Sequence, residues 1–235
     1  RDRLRSRGLG DVYKRQYIQF GFIFAGENIP WTRRNIMLTG KKIVLGVSGG
    51  IAAYKMANVA SMLSKLHADI HVVMTENATH FITPETFEVL TGNHCYTDTF
   101  DRCMELHVPH IALGTQADAI LIAPASADVV GKIANGIADD MLTTCVLPAT
   151  CPVMLAPSMN VHMYENPIVQ DNMKKLASYG YEIIEADEGY LACRDIGKGK
   201  LPPEHVLVDY IIRACAMDKD LAGKKVLVTA GAVSY

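Results

Sequence analysis

Short apolar runs alternate with amphipathic segments along most of this chain. Four runs are almost continuously apolar, and each is followed by small or polar residues: 42–47, 69–74, 119–123 and 152–155. Strands of a parallel sheet have this composition, because helices bury both faces of the sheet. These runs are therefore predicted to be buried strands, and a further strand is predicted at 182–185.

The segments between the strands have helical periodicity. Helices are predicted at 51–66, 84–91, 126–135, 139–147, 166–179 and 203–216. Alternating strands and helices indicate an α/β fold, in which each helix crosses back over the sheet. The predicted architecture is a doubly wound, mostly parallel, Rossmann-like open sheet with helices on both faces.

The two ends of the chain are predicted to lie outside this domain. Residues 1–16 lack apolar periodicity, 17–25 form only a short apolar run, and Met37 offers a natural start, so we interpret 1–36 as a non-native or disordered leader. The domain is predicted to span 37–218. Residues 219–235 are interpreted as a linker and the truncated first strand of a second domain, because 224–229 repeats the Lys-Lys and apolar pattern of the first strand. The alternative is a last strand of the same sheet.

Charge and composition narrow the classes of function. The formal net charge is −2, but residues 1–36 carry eight Lys and Arg against three Asp and Glu, which leaves the remainder at −7. Nucleic-acid binding relies on a basic face, so this acidic body is a poor candidate for it. The 49% hydrophobic content suffices for a large core, and the 20% charged content argues against disorder.

The cysteines and the longest apolar runs indicate the cellular compartment of the protein. The six cysteines have no C-x-x-C spacing, and a domain with an apolar core does not need disulfides. We interpret them as reduced thiols of a cytoplasmic protein. The sequence has no run of about 18 apolar residues, so no membrane span is expected.

Ligands of open α/β sheets bind at the carboxyl ends of the strands. The first strand ends in V-S-G-G-I at 47–51. Its glycines let the backbone approach an anion, the next helix start offers free N–H groups, and Ser48 adds a hydroxyl, which together indicate a phosphate site. The segment lacks both the dinucleotide fingerprint and the P-loop pattern. A tight turn without a ligand is the alternative.

Three other strand ends also carry polar residues. The T-E-N segment at 75–77 is interpreted first as a helix cap. The A-P-A-S-A-D segment at 123–128 leaves room for a flat ring, although Ser126 fits a plain N-cap equally well. The segment 156–163 contains Asn160, which offers both a donor and an acceptor. The alternative there is an Asn-capped helix packed by two methionines.

Six segments together resemble the homo-oligomeric flavin-containing cysteine decarboxylases. They are V-S-G-G-I-A-A-Y-K (47–55), P-H-I-A-L (109–113), A-P-A-S-A-D (123–128), K-I-A-N-G-I-A-D-D (132–140), A-P-S-M-N-x-x-M (156–163) and L-A-C-R-D-I-G-K-G (191–199). The resemblance covers about 40–215 and is strongest to the decarboxylase domain of the bacterial fusion with phosphopantothenate–cysteine ligase. The Pro-x-Met-Asn-x-x-Met segment with the upstream histidine is its specific part.

The resemblance implies a function, a cofactor and an assembly. The function is FMN-dependent decarboxylation of 4'-phosphopantothenoylcysteine to 4'-phosphopantetheine in coenzyme A biosynthesis. The implied assembly is a homotrimer or a trimer-based dodecamer whose active sites are shared between neighbours. No metal, nucleic-acid or membrane partner is implied, and the ligase activity of such a fusion would be absent from this fragment.

The resemblance also implies roles for individual residues. The FMN-binding positions are Ser48, Gly49, Gly50, Ile51, Thr75, Asn77, Ser126, Ala127, Asp128, Val129 and Ser158. The catalytic positions are His110, Asn160 and Cys193. Substrate binding falls to Asn160, which would hold the carboxylate, and to Met163. Cys193 would lie on a flap whose neighbours include Gly189, Gly197 and Gly199.

The chemistry of the implied reaction suits these side chains. A β-thiol carboxylate has no adjacent electron sink, and oxidation of the thiol to a thioaldehyde by FMN creates one. Loss of CO₂ then gives an enethiol, which is reduced to the product. His110 follows Pro109 at a helix start, where the helix dipole disfavours imidazolium, so a neutral base is expected. Cys193 would donate the late proton when the flap closes.

The sequence departs from the family pattern at three positions. Arg194 stands where the family often has Gly, Lys200 where it has Arg, and Asp128 where many relatives have Asn. None of these changes removes a catalytic group. Arg194 bears on the flap conformation, because a side chain disfavours positive φ.

Three alternative functions share the fold or the cofactor. A peptidyl-cysteine decarboxylase would share the histidine and the Pro-x-Met-Asn segment, but the strand at 224–229 argues against it. A flavin prenyltransferase is not expected to carry this His and Asn-Met pair. A non-enzymatic FMN-binding regulatory protein is disfavoured, because His110, Asn160 and Cys193 are all present.

Overall fold

A computed structural model describes residues 38–100, 108–190 and 195–216. The predicted leader at 1–36 and the predicted second-domain strand at 224–229 lie outside the described residues. Cys193 and Arg194 lie outside them as well, so the domain boundaries and the roles given to these two residues stay predictions.

The described residues contain one six-stranded sheet in the order β3-β2-β1-β4-β5-β6, and every neighbouring pair is parallel. The strands are β1 (Lys42–Val47), β2 (Asp69–Met74), β3 (Cys95–Tyr96), β4 (Ala119–Ala125), β5 (Val153–Pro157) and β6 (Glu182–Ile183). The chain winds outward in both directions from the centre, so the predicted doubly wound parallel sheet is confirmed.

Helices cover both faces of the sheet. They are α1 (Lys55–Lys65), α2 (Glu76–Thr79), α3 (Pro84–Thr91), α4 (Pro109–Gln116), α5 (Ala127–Ala134), α6 (Met141–Val146), α7 (Val161–Tyr164), α8 (Pro167–Ser178) and α9 (Glu204–Cys215), and a 3₁₀ turn at Ile51–Tyr54 precedes α1. In the described part of the chain no helix is long and apolar enough to cross a membrane.

Each face of the sheet has its own hydrophobic core. Ile43, Leu45 and Val47 of β1 pack into one core, together with buried residues of α1, α3 and α9. Val44 of the same strand packs into the other core, with residues of α4, α5, α6 and α8. Successive side chains of a strand point to opposite faces, so two covered faces require a continuous apolar run.

The structure differs from the predicted elements mainly at their ends. The predicted helix 51–66 begins as the 3₁₀ turn and becomes α-helical at Lys55, an arrangement that is common at helix N-termini. Strand β4 continues two residues past 123, through the cis Ala123–Pro124 bond. The predicted strand 182–185 is only two residues long.

The sequence pattern did not predict a two-stranded antiparallel sheet near the end of the domain. It pairs β7 (Asp187–Tyr190) with β8 (Ile196–Lys200). Their sequences, D-E-G-Y and I-G-K-G-K, are rich in glycine and charge, which are depleted in strands. The contacts that hold β8 in place are made with the segment after β5, which a local pattern does not encode.

Candidate functional site

A cavity of about 290 Å³ lies at the carboxyl ends of β1, β4 and β5. This is the place where open α/β sheets bind their ligands. Its wall is formed by Gly49, Gly50, Ile51, Ala52, Pro124, Ser126, Ala127, Ser158, Met159, Asn160, Met163 and Gly199. The turn after β1, the turn after β4, the segment after β5 and strand β8 therefore meet around one space.

The glycine turn after β1 packs closely against the start of α2. A Cβ placed on Gly49 would lie 2.5 Å from the Cβ of Asn77 and 3.0 Å from its carbonyl carbon. Gly50 has no such neighbour, since its nearest atom would be the Pro124 Cγ at 3.9 Å. Gly49 is thus required for close packing against α2, whereas Gly50 leaves open space at the cavity wall.

Ser48 connects the central strands beneath the cavity. Its hydroxyl donates to the Pro124 carbonyl oxygen at 2.7 Å and accepts from the Ser126 backbone N–H at 2.9 Å. The residue is fully buried. The sequence interpretation expected this hydroxyl to contact a phosphate. In the structure its only proton is donated to the Pro124 carbonyl oxygen. Ser48 therefore supports the turn after β4.

The turn after β4 is fixed on its other side as well. The Ser158 N–H donates to the Ala125 carbonyl oxygen at 3.1 Å, which joins β5 to β4. Ser126 caps α5 by accepting from the Val129 N–H at 3.4 Å, so the N-cap interpretation is confirmed. The Val129 side chain is fully buried in the core and does not line the cavity, so the FMN-binding role implied for this residue stays a prediction.

Thr75, directly after β2, has a buried hydroxyl that finds no hydrogen-bond partner in the part of the chain that the structure describes. The residue occupies the N-cap position of α2, but its side chain makes no capping hydrogen bond, so the capping interpretation was wrong. A buried hydroxyl that lacks a partner costs free energy. Such groups are often explained by a ligand or by function. Neither Thr75 nor Asn77 lines the cavity: the Thr75 N–H donates to the Val47 carbonyl oxygen at 3.0 Å, and Asn77 packs against Gly49.

Asn160 is fixed by two hydrogen bonds at the cavity wall. Its side-chain oxygen accepts from the His162 N–H at 2.8 Å and caps α7, and its amide nitrogen donates to the Asp195 carboxylate at 2.9 Å. The capped helix that the sequence offered as an alternative is thus present. Asn160 also lines the cavity, so a residue that caps α7 is present at the cavity wall.

Strand β8 packs directly on the segment that carries Asn160. The Met159 N–H donates to the Gly199 carbonyl oxygen at 3.0 Å. Gly199 has φ +143°, and a Cβ there would lie 2.4 Å from the Met159 carbonyl oxygen. A Cβ on Gly197 would lie 2.6 Å from Val161. The glycines predicted to belong to a flap therefore allow close packing of β8.

His110 is half-buried at the start of α4 and does not line the cavity. Its Nδ1 is buried and has no hydrogen-bond partner among the residues that the structure describes. The neighbouring Val108 and Ile111 each expose 45% of their surface. The histidine therefore lies beside exposed apolar side chains, apart from the other predicted catalytic residue in the described chain, Asn160.

Asp128 points away from the cavity and takes part in an ion-pair cluster. Its carboxylate lies 3.3 Å from the Lys132 ammonium, which also lies 3.1 Å from Asp139 and 3.5 Å from Asp140. Burial alone would lower the pKa of Lys132, but hydrogen bonds to Asp139 and Asp128 and the nearby negative charges raise it above its ordinary value. Asp128 is thus a partner of Lys132 and no part of the cavity wall.

Eight predicted site residues lie together on the wall: Gly49, Gly50, Ile51, Ser126, Ala127, Ser158, Asn160 and Met163. The sequence interpretation did not assign a role to Ala52, Pro124 or Met159. Ala52 and Met159 directly neighbour assigned residues, and Pro124 lies two positions before Ser126. The sequence interpretation also missed Asp195, which precedes β8 and bonds to Asn160. A lone aspartate in a glycine-rich segment gives no periodic signal.

The chain matches a known family model. The model described as Flavoprotein matches residues 32–216. The coenzyme A biosynthesis bifunctional protein CoaBC of Bacillus subtilis is 47% identical over 197 residues, which make up 83% of this chain and 48% of that protein. The CoaBC protein of Haemophilus influenzae is 40% identical over 194 residues, with the same coverage. The chain spans about half the length of the curated relatives it matches.

Solved structures match the fold over nearly their whole length. The FMN-dependent cysteine decarboxylase SpaF aligns with a TM-score of 0.64 and 34% identity, covering 74% of this chain and 95% of that one. A mutant PPC decarboxylase complexed with pantothenoylaminoethenethiol aligns with a TM-score of 0.65 and 30% identity, covering 73% and 96%.

Proposed function

This chain belongs to the Flavoprotein family, and from that premise we propose that it decarboxylates 4'-phosphopantothenoylcysteine to 4'-phosphopantetheine with FMN as cofactor. The observation that carries the proposal is the position of Asn160. It lies within the Pro-x-Met-Asn-x-x-Met segment and lines the same cavity as the glycine turn after β1.

We assign the decarboxylase activity, and not the ligase activity, to this domain. The matched region is 48% of the bifunctional relative from Bacillus subtilis, whereas it covers 96% of the solved PPC decarboxylase. The proposed parent is a bifunctional enzyme of coenzyme A biosynthesis in the cytoplasm. In this proposal the described domain carries out the decarboxylation and not the ligation.

The described residues fit FMN at the cavity. The Gly49–Gly50 turn brings backbone close to the cavity, and small residues at Ser126 and Ala127 leave room for a flat ring. We retain Thr75 as a proposed FMN contact, although it does not line the cavity, because its buried hydroxyl has no hydrogen-bond partner among the described residues. When bound, FMN would supply the oxidation of the substrate thiol that makes loss of CO₂ possible.

The protein's own residues would orient the substrate and handle protons. Asn160 and Met163, both on the cavity wall, would contact the substrate, with the Asn160 amide holding its carboxylate. His110 would take the proton from the thiol, and Cys193, outside the described residues, would return a proton late in the reaction.

We also propose that a second copy of the chain completes the site. His110 does not line the cavity of its own chain, and it lies beside the exposed Val108 and Ile111. A homotrimer, or a dodecamer built from trimers, would bring the histidine of one copy to the cavity of another. An active monomer, detected by light scattering at assay concentration, would contradict this assembly.

The test of the function is direct. Purified protein is loaded with FMN, mixed with phosphopantothenoylcysteine, and assayed for released CO₂ and for 4'-phosphopantetheine. A peptide that ends in cysteine serves as the competing substrate, and protein without FMN serves as the control. Flavin-loaded protein that releases CO₂ only from the peptide, or from neither compound, would overturn the proposed substrate.

A further inference from the structure

Asp195 lies just before strand β8 and accepts a 2.9 Å hydrogen bond from the side-chain amide of Asn160. We propose that Asp195 is a positioning residue, which sets the orientation of the Asn160 amide toward the substrate carboxylate. This inference rests on the proposed function and adds a residue to it that touches neither cofactor nor substrate.

The two ends of the Asn160 amide have different partners. The oxygen accepts from the His162 N–H at 2.8 Å, and the nitrogen donates to the Asp195 carboxylate. An amide rotated by 180° would set its NH₂ group against the N–H donor and its oxygen against the carboxylate. Both contacts would then be repulsive, because an ionised carboxylate only accepts hydrogen bonds and a backbone N–H only donates them.

The carboxylate supplies the larger part of this orientation. Hydrogen bonds to ionised groups are shorter and about twice as strong as neutral ones. The His162 N–H alone also tolerates other acceptors, such as water, at a helix start. Removal of Asp195 therefore takes away the charged acceptor of the Asn160 amide nitrogen, and the amide is expected to lose part of its fixed orientation.

Packing holds Asp195 in reach of Asn160. The residue is half-buried, and the strand after it packs on the segment 159–161 through the Met159 N–H and the Gly199 carbonyl oxygen, 3.0 Å apart. Gly197 faces Val161 so closely that a Cβ there would lie 2.6 Å away. The hairpin thus brings a fixed acceptor to a residue that lies 35 positions earlier in the sequence.

A positioning role for Asp195 predicts that its removal weakens the binding of ligands with a carboxylate and not of ligands without one. The substrate phosphopantothenoylcysteine carries the carboxylate, and the product 4'-phosphopantetheine does not. If Asp195 acts through Asn160, Asp195→Ala raises the KM for substrate about tenfold, the size expected for one hydrogen bond to a charged group. The inhibition constant of the product stays within about twofold of wild type. A general loosening of the hairpin would weaken the binding of both substrate and product.

The test uses the flavin-loaded protein, the Asp195→Ala variant and four further variants. Asp195→Asn keeps an acceptor for the amide and is expected to restore most of the substrate affinity. Asp187→Ala removes an exposed carboxylate from the same hairpin and is the matched control. Asn160→Ala and the double variant Asn160→Ala with Asp195→Ala complete a double-mutant cycle, in which Asp195→Ala has no further effect on KM.

The outcomes separate this inference from the proposed function. Three results would each overturn the positioning role. They are an equal loss of affinity for substrate and product, additive effects on KM in the double-mutant cycle, and a wild-type KM in Asp195→Ala. If wild-type protein with bound FMN releases no CO₂, the proposed function fails. The same two ligands are then compared by equilibrium binding to wild type and Asp195→Ala, and a loss that is not selective for the carboxylate overturns the positioning role there too.

Discussion

The hydroxyl of Ser48 donates to the carbonyl oxygen of Pro124 at 2.7 Å, across 76 positions of sequence. It also accepts from the Ser126 N–H, so one side chain fixes the end of β1 to the turn after β4. Both strands are central in the sheet, and both turns form the wall of the cavity. The shape of the site therefore depends on a residue that is fully buried beneath it.

Ser48→Ala is expected to destabilise the domain by about 1–3 kcal/mol, because the change removes a hydrogen-bond partner from the part-buried Ser126 N–H and from the buried Pro124 carbonyl oxygen. The measurement is urea unfolding of the flavin-free protein. The control is Ser178→Ala, since the exposed Ser178 hydroxyl bonds only to the Lys175 carbonyl of its own helix, and a change within about 0.5 kcal/mol is expected there. If both variants were as stable as wild type, the Ser48 hydroxyl would not stabilise the connection between β1 and the turn after β4.

Gly49→Ala and Gly50→Ala form a matched pair with different outcomes. A methyl group on Gly49 meets Asn77 at 2.5 Å, so this variant is expected to lose about 1–3 kcal/mol of stability from overpacking. Gly50 is extended, at φ −177°, and has space around it, so its variant is expected to fold with unchanged or slightly higher Tm. Its methyl group enters the cavity and should weaken FMN binding. A Gly50→Ala variant with wild-type FMN affinity would place the cofactor elsewhere.

Thr75→Val is expected to have opposite effects on stability and on cofactor binding. Valine has nearly the same shape and removes a buried hydroxyl without a partner, so the flavin-free protein should gain up to about 1 kcal/mol. FMN affinity should fall about tenfold if that hydroxyl serves the cofactor. In the control, Thr143→Val, the lost hydroxyl bonds to the Asp140 carboxylate at 2.9 Å, so stability should fall. Unchanged FMN affinity in Thr75→Val would exclude the contact.

His110→Asn is expected to keep FMN and to release no CO₂, because asparagine is similar in polarity but cannot accept a proton from the thiol. Flavin absorbance reports the bound cofactor, and trapped CO₂ reports turnover. Light scattering of the same sample checks that the assembly persists. Turnover at the wild-type rate would remove His110 from the mechanism.

Cys193→Ser is expected to decarboxylate the substrate but to accumulate an oxidised enethiol, because the alcohol is a weaker acid than the thiol it replaces. Mass spectrometry of the reaction mixture separates the enethiol from phosphopantetheine by two hydrogen atoms. The buried Cys145 supplies the control as Cys145→Ser; burial raises the pKa of its thiol to about 12 and keeps it unreactive. Clean phosphopantetheine from Cys193→Ser would contradict the late proton transfer.

The sequence pattern predicted β1, β2 and α3 with the bounds that the structure shows, because all three are set by local features. The two strands are apolar runs that end in polar residues, and α3 begins with Pro84 and ends at Gly92 with positive φ. It failed for β3, which is two residues long, and for the hairpin of β7 and β8, which has little apolar content.

The sequence by itself determined the alternation of strands and helices, the two-sided burial of the sheet and the collection of small and polar residues at its carboxyl edge. Each follows from the spacing of apolar residues and from turn residues that act within a few positions. The tertiary structure alone decided which polar groups meet. Ser48 meets Pro124 because β1 and β4 are neighbours, and Asn160 meets Asp195 because β8 packs on the turn after β5. Such pairs depend on strand order and packing, and neither can be read from the spacing of apolar and polar residues in the sequence.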